Sequence, residues 1–441
     1  MAQRLNLNTM QKRYSDSGRG VDGVLTYCES QRYISLSQNF RPAKRGNNAM
    51  SQERLGNRLR LPSLSIKGFR GIDELTIDRL GRVTLIAGKN SVGKTTVLDA
   101  IQIYAARGHY DILSQLLTSC QEVSIATLSD VNDQRRFVPD FPALFHGRDV
   151  SECARIEIGP KNDTDQLRIE ESLPIERQAY QIEKYLSRSV ARGYTQVFRV
   201  VFQDTEQILP WILPIQGSDA ARTVERYSVS ACLYLERLLD EAKWSSPIGC
   251  QFLGPGLLSD EEIVRSWNAI ALTEDEDRAV QALRLIFGND LERVAVRRDE
   301  ISSGKEYVQR VVARLRGQAR PVPLQSLGDG ALHLSGVALA LTNSRDGFLL
   351  IDEAENGIHH SVQRDYWRMV FETAEANNVQ VLATTHSFDC LRGFAQAMTD
   401  CEDIDGALVR LERENGTLRA VEYSERNIKA AAKQRIDIEM R

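Results

Sequence analysis

Phe348–Asn356 reads FLLIDEAEN, four apolar residues running into the acids Asp352 and Glu353. A carboxylate at the end of a buried strand can orient a hydrated divalent cation, and a second one residue on can take a proton from an attacking water. An isolated acid pair is ordinarily a solvated strand end, so this chemistry requires a phosphate site beside it. Gly88–Thr95, GKNSVGKT, supplies one, since it satisfies GxxxxGK[ST]. The glycines let the backbone wrap tightly, so that successive N–H groups of Gly88, Asn90, Ser91, Val92 and Gly93 face phosphate oxygens. Lys94 is placed to reach the β- and γ-phosphates, Thr95 to hold Mg²⁺ with Asp352, and Thr96, at the start of the helix, is expected among the nucleotide-binding residues.

Two further stretches fit a triphosphate. Val381–Ser387, VLATTHS, caps an apolar run with His386, which can donate a hydrogen bond to charge growing on a γ-phosphate. A lone histidine at a strand end is more often structural. Leu324–Gly336, LQSLGDGALHLSG, puts Ser326 and Gly328 before an apolar helix expected from Ala331. That is a second helix start able to face an anion, or simply a flexible N-cap. In a head-to-tail dimer, Ser326 of one copy would close over the nucleotide held by Lys94 of the other, which would give a chain with two such starts a use for both.

The elements that would position these groups are legible nearby. LSIKGFRGIDELTIDRLGRVTLIAG alternates apolar and polar residues and then turns wholly apolar, predicting two outer strands and a buried one at Val83–Ala87. Val97, Leu98, Ile101, Tyr104 and Ala105 fall at helical spacing after the glycine turn. Residues 151–175 hold strand-like runs, and residues 220–290 read as mainly helical. The last third is α/β again, with a hairpin around Glu414–Gly416 and a short polar helix at the end. The expected layout is a polar extension over 1–58, possessing no periodic apolar pattern; the first part of the core over 59–160; an inserted β/helical region over 161–320; and the second part of the core over 321–441.

The bulk properties narrow the class. The chain has 441 residues, 42% hydrophobic and 26% charged, with no apolar run long enough to span a membrane and no signal-like start. Seven scattered cysteines without a CxxC pair suggest buried thiols in the cytoplasm. The net charge of −4 argues against a protein that coats nucleic acid, yet leaves room for a local basic groove. Gln309–Arg320, QRVVARLRGQAR, carries four arginines in near alternation with apolar residues, which reads as a strand with a solvated face or a phosphate contact. His359 and His360 are adjacent and His333 is distant in sequence, so no zinc set is expected; His146 and Trp267 read as turn or packing residues.

The four motifs in this order resemble the core of ABC-type ATPases, and more closely those of the SMC and RecF kind, whose loop reads GxNxxGK[ST] as Gly88, Asn90, Gly93, Lys94 and Thr95 do. The segment Asp352–Glu355 followed by Ile358–His360 resembles the DEPE and LHP-like pattern of the overcoming-lysogenisation-defect (OLD) group, with Ala354 and His360 where that group has proline. SLGDG at Ser326–Gly330 is similar to that group's signature. The resemblance implies an α/β fold: an ABC-type P-loop ATPase core with an antiparallel β subdomain and an inserted mainly helical lid. It implies ATP and Mg²⁺ as cofactors, Glu353 and His386 as catalytic residues, and a homodimer or higher homo-oligomer. OLD-like ATPases commonly work with a Toprim nuclease. The 55 residues after His386 offer only the DID of Asp403–Asp405 and no full fold, so a separate nuclease or other effector is expected, in anti-phage defence or DNA repair. The glutamine that such ATPases place near Mg²⁺ is not assigned, Gln203 and Gln251 both following strand-like runs. Two other readings remain open: an ATP-bound scaffold that sequesters a toxic partner, and a DNA-bridging repair ATPase. Replacing Lys94 with alanine is expected to weaken ATP binding by at least about a hundredfold, from loss of charge-assisted bonds to phosphate. Titration with a fluorescent ATP analogue measures this, and unchanged affinity would remove Lys94 from the site.

Overall fold

The computed structural model describes residues 59–128, 135–148, 150, 154–161, 164–172, 197–210, 225–227, 246–256, 258–300, 307–424 and 427–428. The polar extension, the terminal polar helix, and most of the segment read as helical between 223 and 242 lie outside them, as do Cys28, Cys153 and Cys232.

The centre is a six-stranded sheet. Its strands are β3 (Val83–Gly88), β11 (Cys250–Leu253), β15 (Phe348–Ile351), β16 (Gln380–Thr385), β17 (Gly406–Glu414) and β18 (Thr417–Tyr423), in the order β11-β15-β16-β3-β17-β18. All neighbours are parallel except β17 and β18, which form the expected hairpin. β3, β15 and β16 are buried along their whole length, as their continuous apolar runs require of parallel strands covered on both faces. Alternate residues feed two cores. Val83, Leu85, Leu349, Ile351, Val381 and Ala383 pack toward one side, and Ile86, Phe348, Leu350 and Leu382 toward the other.

The first side is covered by helices α5 (Asp329–Asn343), α6 (Gln363–Ala376) and α7 (Phe388–Asp400), which enclose the fully buried Trp367, Phe371 and Phe394. Helices α3 (Asp260–Ile270) and α4 (Glu274–Phe287) extend the same core and contribute Trp267 to it. A capping box at Ser259 and Glu262 starts α3. The second side holds α1 (Lys94–Ala105), α2 (Tyr110–Ser119) and an antiparallel sheet. That sheet orders β1 (Leu64–Phe69), β2 (Ile72–Ile77), β6 (Arg155–Gly159), β7 (Leu167–Ser172), β8 (Val197–Phe202) and β9 (Thr205–Pro210) as β2-β1-β6-β7-β8-β9. A small sheet joins β4 (Val123–Leu128), β5 (Arg135–Pro139) and β10 (Glu225–Tyr227); another joins β12 (Leu291–Glu300), β13 (Tyr307–Leu315) and β14 (Val322–Pro323). The arginine-rich run of residues 309–320 is thus a strand through Leu315, and the helical reading of residues 220–290 gives way at β10 and β11 to strands.

Two polar devices tie the layers. Gln380 has no exposed surface, and its amide accepts from Leu61 N–H at 2.9 Å and donates to Leu61 C=O at 2.7 Å and Gly81 C=O at 3.2 Å. Arg70, on the turn between β1 and β2, donates to Asp99 of α1 at 2.9 Å, both side chains being largely buried. Among the four described cysteines, the expectation of buried thiols fails at Cys120, which is exposed at the end of α2; Cys390 is buried, and Cys250 and Cys401 are partly covered. Among the described residues no helix is long and apolar enough to cross a membrane.

Burial pushes the Asp99 carboxyl up to about 6, against the pull of Arg70 and with a further push from Asp352. The folded state therefore holds this proton more tightly than the unfolded chain, and the group destabilises the fold increasingly as pH rises from its ordinary 3.8 to about 6, levelling off above that. Thermal melts of the wild type and Asp99→Asn on the acid side of this window, at about pH 4, and above it, at about pH 7, check this. Asn should raise the melting temperature more at the higher pH, relative to wild type, and an equal shift at both would refute the assignment.

Candidate active site

Three adjacent parallel strands deliver the chemistry to one edge. Ile351 pairs with Ala383, Ala383 with Leu85, and Thr385 with Ala87, so β15, β16 and β3 end side by side. The residues that follow are Asp352–Glu353, His386 and the loop Lys89–Gly93. This is the carboxyl edge of a parallel sheet, where ligands bind in open α/β folds.

The loop fits tightly at its base. A Cβ on Gly88 would lie 2.9 Å from Leu411 C=O, and Gly93 at φ 118° precedes α1 in a conformation that favours glycine. Ser91 takes φ 60° without being glycine, a strain of the kind held at working sites. Lys94 is buried, and its ammonium donates to Gly88 C=O at 2.8 Å and Lys89 C=O at 3.0 Å. Burial lowers its pKa, while the carboxylates of Glu355, Asp352 and Glu353 pull it back up. The cation therefore already sits against the acids that would flank a phosphate.

Asp352 is the hub. Thr95 donates its hydroxyl to one carboxylate oxygen at 2.9 Å, and Thr384 donates to the other at 2.5 Å. The same Thr384 oxygen accepts the Glu353 N–H at 2.9 Å. The Asp352 N–H reaches Leu253 C=O at 2.8 Å, and Ala354 N–H reaches Thr384 C=O at 2.9 Å, so both flanking strands clamp the turn. Glu353 sits at φ 53°, a costly conformation for this residue type, and its carboxylate accepts from Asn356 at 2.8 Å. Thr95, next after Lys94, and Asp352 present only oxygen ligands, which suits Mg²⁺.

His386 is held by Glu355. One Glu355 oxygen accepts the His386 N–H at 2.9 Å and faces its ring Nδ1 at 3.1 Å. The other oxygen is buried and has no hydrogen-bond partner among the described residues. An orphaned carboxylate oxygen beside Lys94 is costly unless a ligand or cation completes it.

Not every expected residue joins this cluster. Ser326 and Gly328 are exposed on the turn before α5, which begins at Asp329 rather than Ala331. Gly328 at φ 95° caps that helix, and a Cβ on Gly330 would lie 2.8 Å from Gly357 C=O, so the helix start rests on the turn after Glu353. Gln203 is on the β8–β9 turn, bonded to Asp165 at 2.6 Å, and Gln251 lies inside edge strand β11. Thr384, Glu355 and Asn356 were not singled out by sequence reasoning. The signal for them was present, since polar residues at the end of a strand buried throughout need partners. No group of three potential metal ligands occurs among the described residues, and His333 is buried in α5.

Comparison with known proteins bears on this arrangement. A family model described as "AAA domain, putative AbiEii toxin, Type IV TA system" matches residues 259–389, and one described as "AAA domain" matches residues 63–253. The phosphate loop falls in the second match; Ser326, the acids and His386 fall in the first. An uncharacterised protein of Methanocaldococcus jannaschii is 31% identical over 103 residues, 23% of this chain and 90% of that protein. Another from the same organism is 34% identical over 58 residues, and the chain spans only 26% of its length. Among solved structures, an SMC head bound to the C-winged helix domain of ScpA overlaps at TM-score 0.42 and 13% identity, covering 84% of this chain and 99% of that one. The SMC head domain from Thermotoga maritima overlaps at 0.39 and 15%, covering 83% and 100%.

Thr384→Val removes both bonds of the clamp at nearly constant volume. It is expected to cost about 2–3 kcal/mol of stability and to lower kcat for ATP by about 10- to 100-fold with little change in KM. Thr384→Ser should restore most of the loss. Steady-state phosphate release for the three proteins measures it, and a Val variant with wild-type kcat would show the clamp to be idle.

Proposed function

We propose, for a chain that belongs to the family of the more fully covered M. jannaschii protein and carries AAA-domain sequence in both halves, that it is a Mg²⁺-dependent ATP hydrolase. The observation that carries this is the Thr95–Asp352–Thr384 chain, which joins the phosphate loop to the acid pair across neighbouring strands. The loop N–H groups and the start of α1 bind the triphosphate, and Lys94 exchanges its two carbonyl partners for phosphate oxygens. Thr95 and Asp352 hold Mg²⁺, which would neutralise charge on the phosphates. Glu353, fixed by Thr384 and Asn356, takes a proton from the attacking water. His386, oriented by Glu355, donates to the γ-phosphate.

The site is completed by a second copy, whose exposed Ser326 faces the γ-phosphate. Hydrolysis then opens the pair, making the protein a switch for a separate effector, in our reading a nuclease. Within the ATPases the DEAE segment brings it nearest to the OLD group, with anti-phage defence or DNA repair as the setting and the cytoplasm as the compartment. The family description matched by residues 259–389 names a toxin system, which favours a second reading in which the ATP-bound oligomer restrains a toxic partner with little turnover.

Glu353→Gln should bind ATP normally and hydrolyse it at least about a hundredfold more slowly, the scale of general-base catalysis. The composite site is tested by mixing two inactive proteins, Lys94→Ala and Ser326→Arg. Mixed dimers contain one intact site, so activity should reappear on mixing. Normal turnover by the Gln variant refutes the base, and silence on mixing refutes the shared site. Normal single-variant binding with very low wild-type kcat selects the restraining scaffold.

A further inference from the structure

The arginine-rich hairpin carries none of the residues assigned to hydrolysis. In β12 and β13, Arg293 stands directly opposite Arg314 and Arg297 directly opposite Arg310. These pairs share one face of the ribbon, with the small Ala295/Val312 pair between them. The other face carries Val294, Val311 and Ala313, which are buried in the main core, so the arginine face points away from it. Arg293, Arg297 and Arg314 are exposed and Arg310 is half-buried.

Like charges directly opposite on antiparallel strands are destabilising, so two such pairs in succession call for a reason. Charged side chains do guard sheet edges, and β14 covers β13 only at Val312 and Ala313, so Arg310 and Arg314 flank the covered stretch. Edge protection does not require the arginines to face one another in pairs, however. Internal neutralisation is partial. Asp299 serves both Arg297 at 2.6 Å and Arg310 at 3.6 Å, Glu292 serves Arg314 at 3.2 Å, and Arg293 has no acidic partner among the described residues. Residues 293–320 hold eight basic and three acidic side chains in a chain whose net charge is −4. Arg316 and Arg320, both exposed, continue the patch toward β14.

We propose that this face binds the backbone of duplex DNA. Arginine forks match phosphate geometry, and the two pairs lie four residues apart, about 13 Å along a strand. That is close to the roughly 12 Å width of the major groove, so each pair meets the phosphates on one side of it. The patch also has a route to the nucleotide. β13 pairs with β14, and β14 runs straight into the turn that carries Ser326. Leu324, on that turn, is buried in the same core as Val294, Val311 and Ala313. DNA on the ribbon therefore bears on the element that completes the partner's site. The binding itself does not depend on hydrolysis.

The test is fluorescence anisotropy of the full chain with a labelled 20-base-pair duplex of arbitrary sequence at several salt concentrations. Four phosphate contacts predict a slope of log K against log salt of about −3.6, and Arg310→Gln/Arg314→Gln should reduce it by about 2 and weaken binding at low salt. Arg293→Gln/Arg297→Gln, on the neighbouring strand, should do the same and covers the case where the first variant misfolds. Arg392→Gln/Arg419→Gln, a half-buried and an exposed arginine away from the ribbon, should leave the slope unchanged, and basal ATP turnover should persist in all three. The proposal is overturned if both ribbon variants keep the wild-type slope. It is likewise overturned if a polyglutamate peptide or single-stranded DNA binds as tightly as the duplex.

Discussion

Everything at the carboxyl edge depends on Asp352 keeping both of its oxygens occupied by hydroxyls from different elements. Thr95 comes from the helix after the phosphate loop, and Thr384 comes from the strand between that loop and the acids. The two hydroxyls stand in for the water that burial takes from this carboxylate, so neither oxygen is left unsatisfied. The clamp also explains how Glu353 tolerates φ 53°, since its N–H ends on Thr384 and the next N–H ends on the Thr384 carbonyl. Local strain is held by hydrogen bonds on either side of it.

The fold gives this hub a stiff mounting. Each of the three strands contributes alternate side chains to two separate cores, so neither face can relax without disturbing the other. Arg70 and Asp99 extend the connection into the antiparallel sheet, placing a largely buried ion pair between its first turn and α1. Such a pair is weak evidence for net stability but strong evidence for register, because either charge left alone would be costly.

How much of this could be read beforehand follows from the range of the interactions. The loop, the strand and helix around it, the acid pair and the terminal hairpin are local patterns, and the sequence periodicity was enough to place them. Glu355 and Thr384 belong to the site through neighbours 31 and 32 positions away in the chain, and only strand register brings them there. The hairpin offers the sharper case. Near alternation of valine and arginine in residues 309–320 identifies a strand, but the opposition of Arg310 to Arg297 and Arg314 to Arg293 is a property of pairing. The cysteine reading failed at Cys120 because composition says nothing about which helix end meets water. The glutamine left unassigned stays so, since Gln203 is committed to Asp165 and Gln251 lies within an edge strand.

The contact of Gly330 with Gly357 has a mechanical consequence. A side chain at Gly330 would strike the Gly357 carbonyl, so the start of α5 and the turn trailing Glu353 are seated directly on one another. The exposed turn at Ser326 and the strained turn at Glu353 are therefore two ends of a short lever. A tilt of α5 imposed from outside would reach Glu353 without passing through the phosphate loop, and a shift of the acid turn would be felt at Ser326.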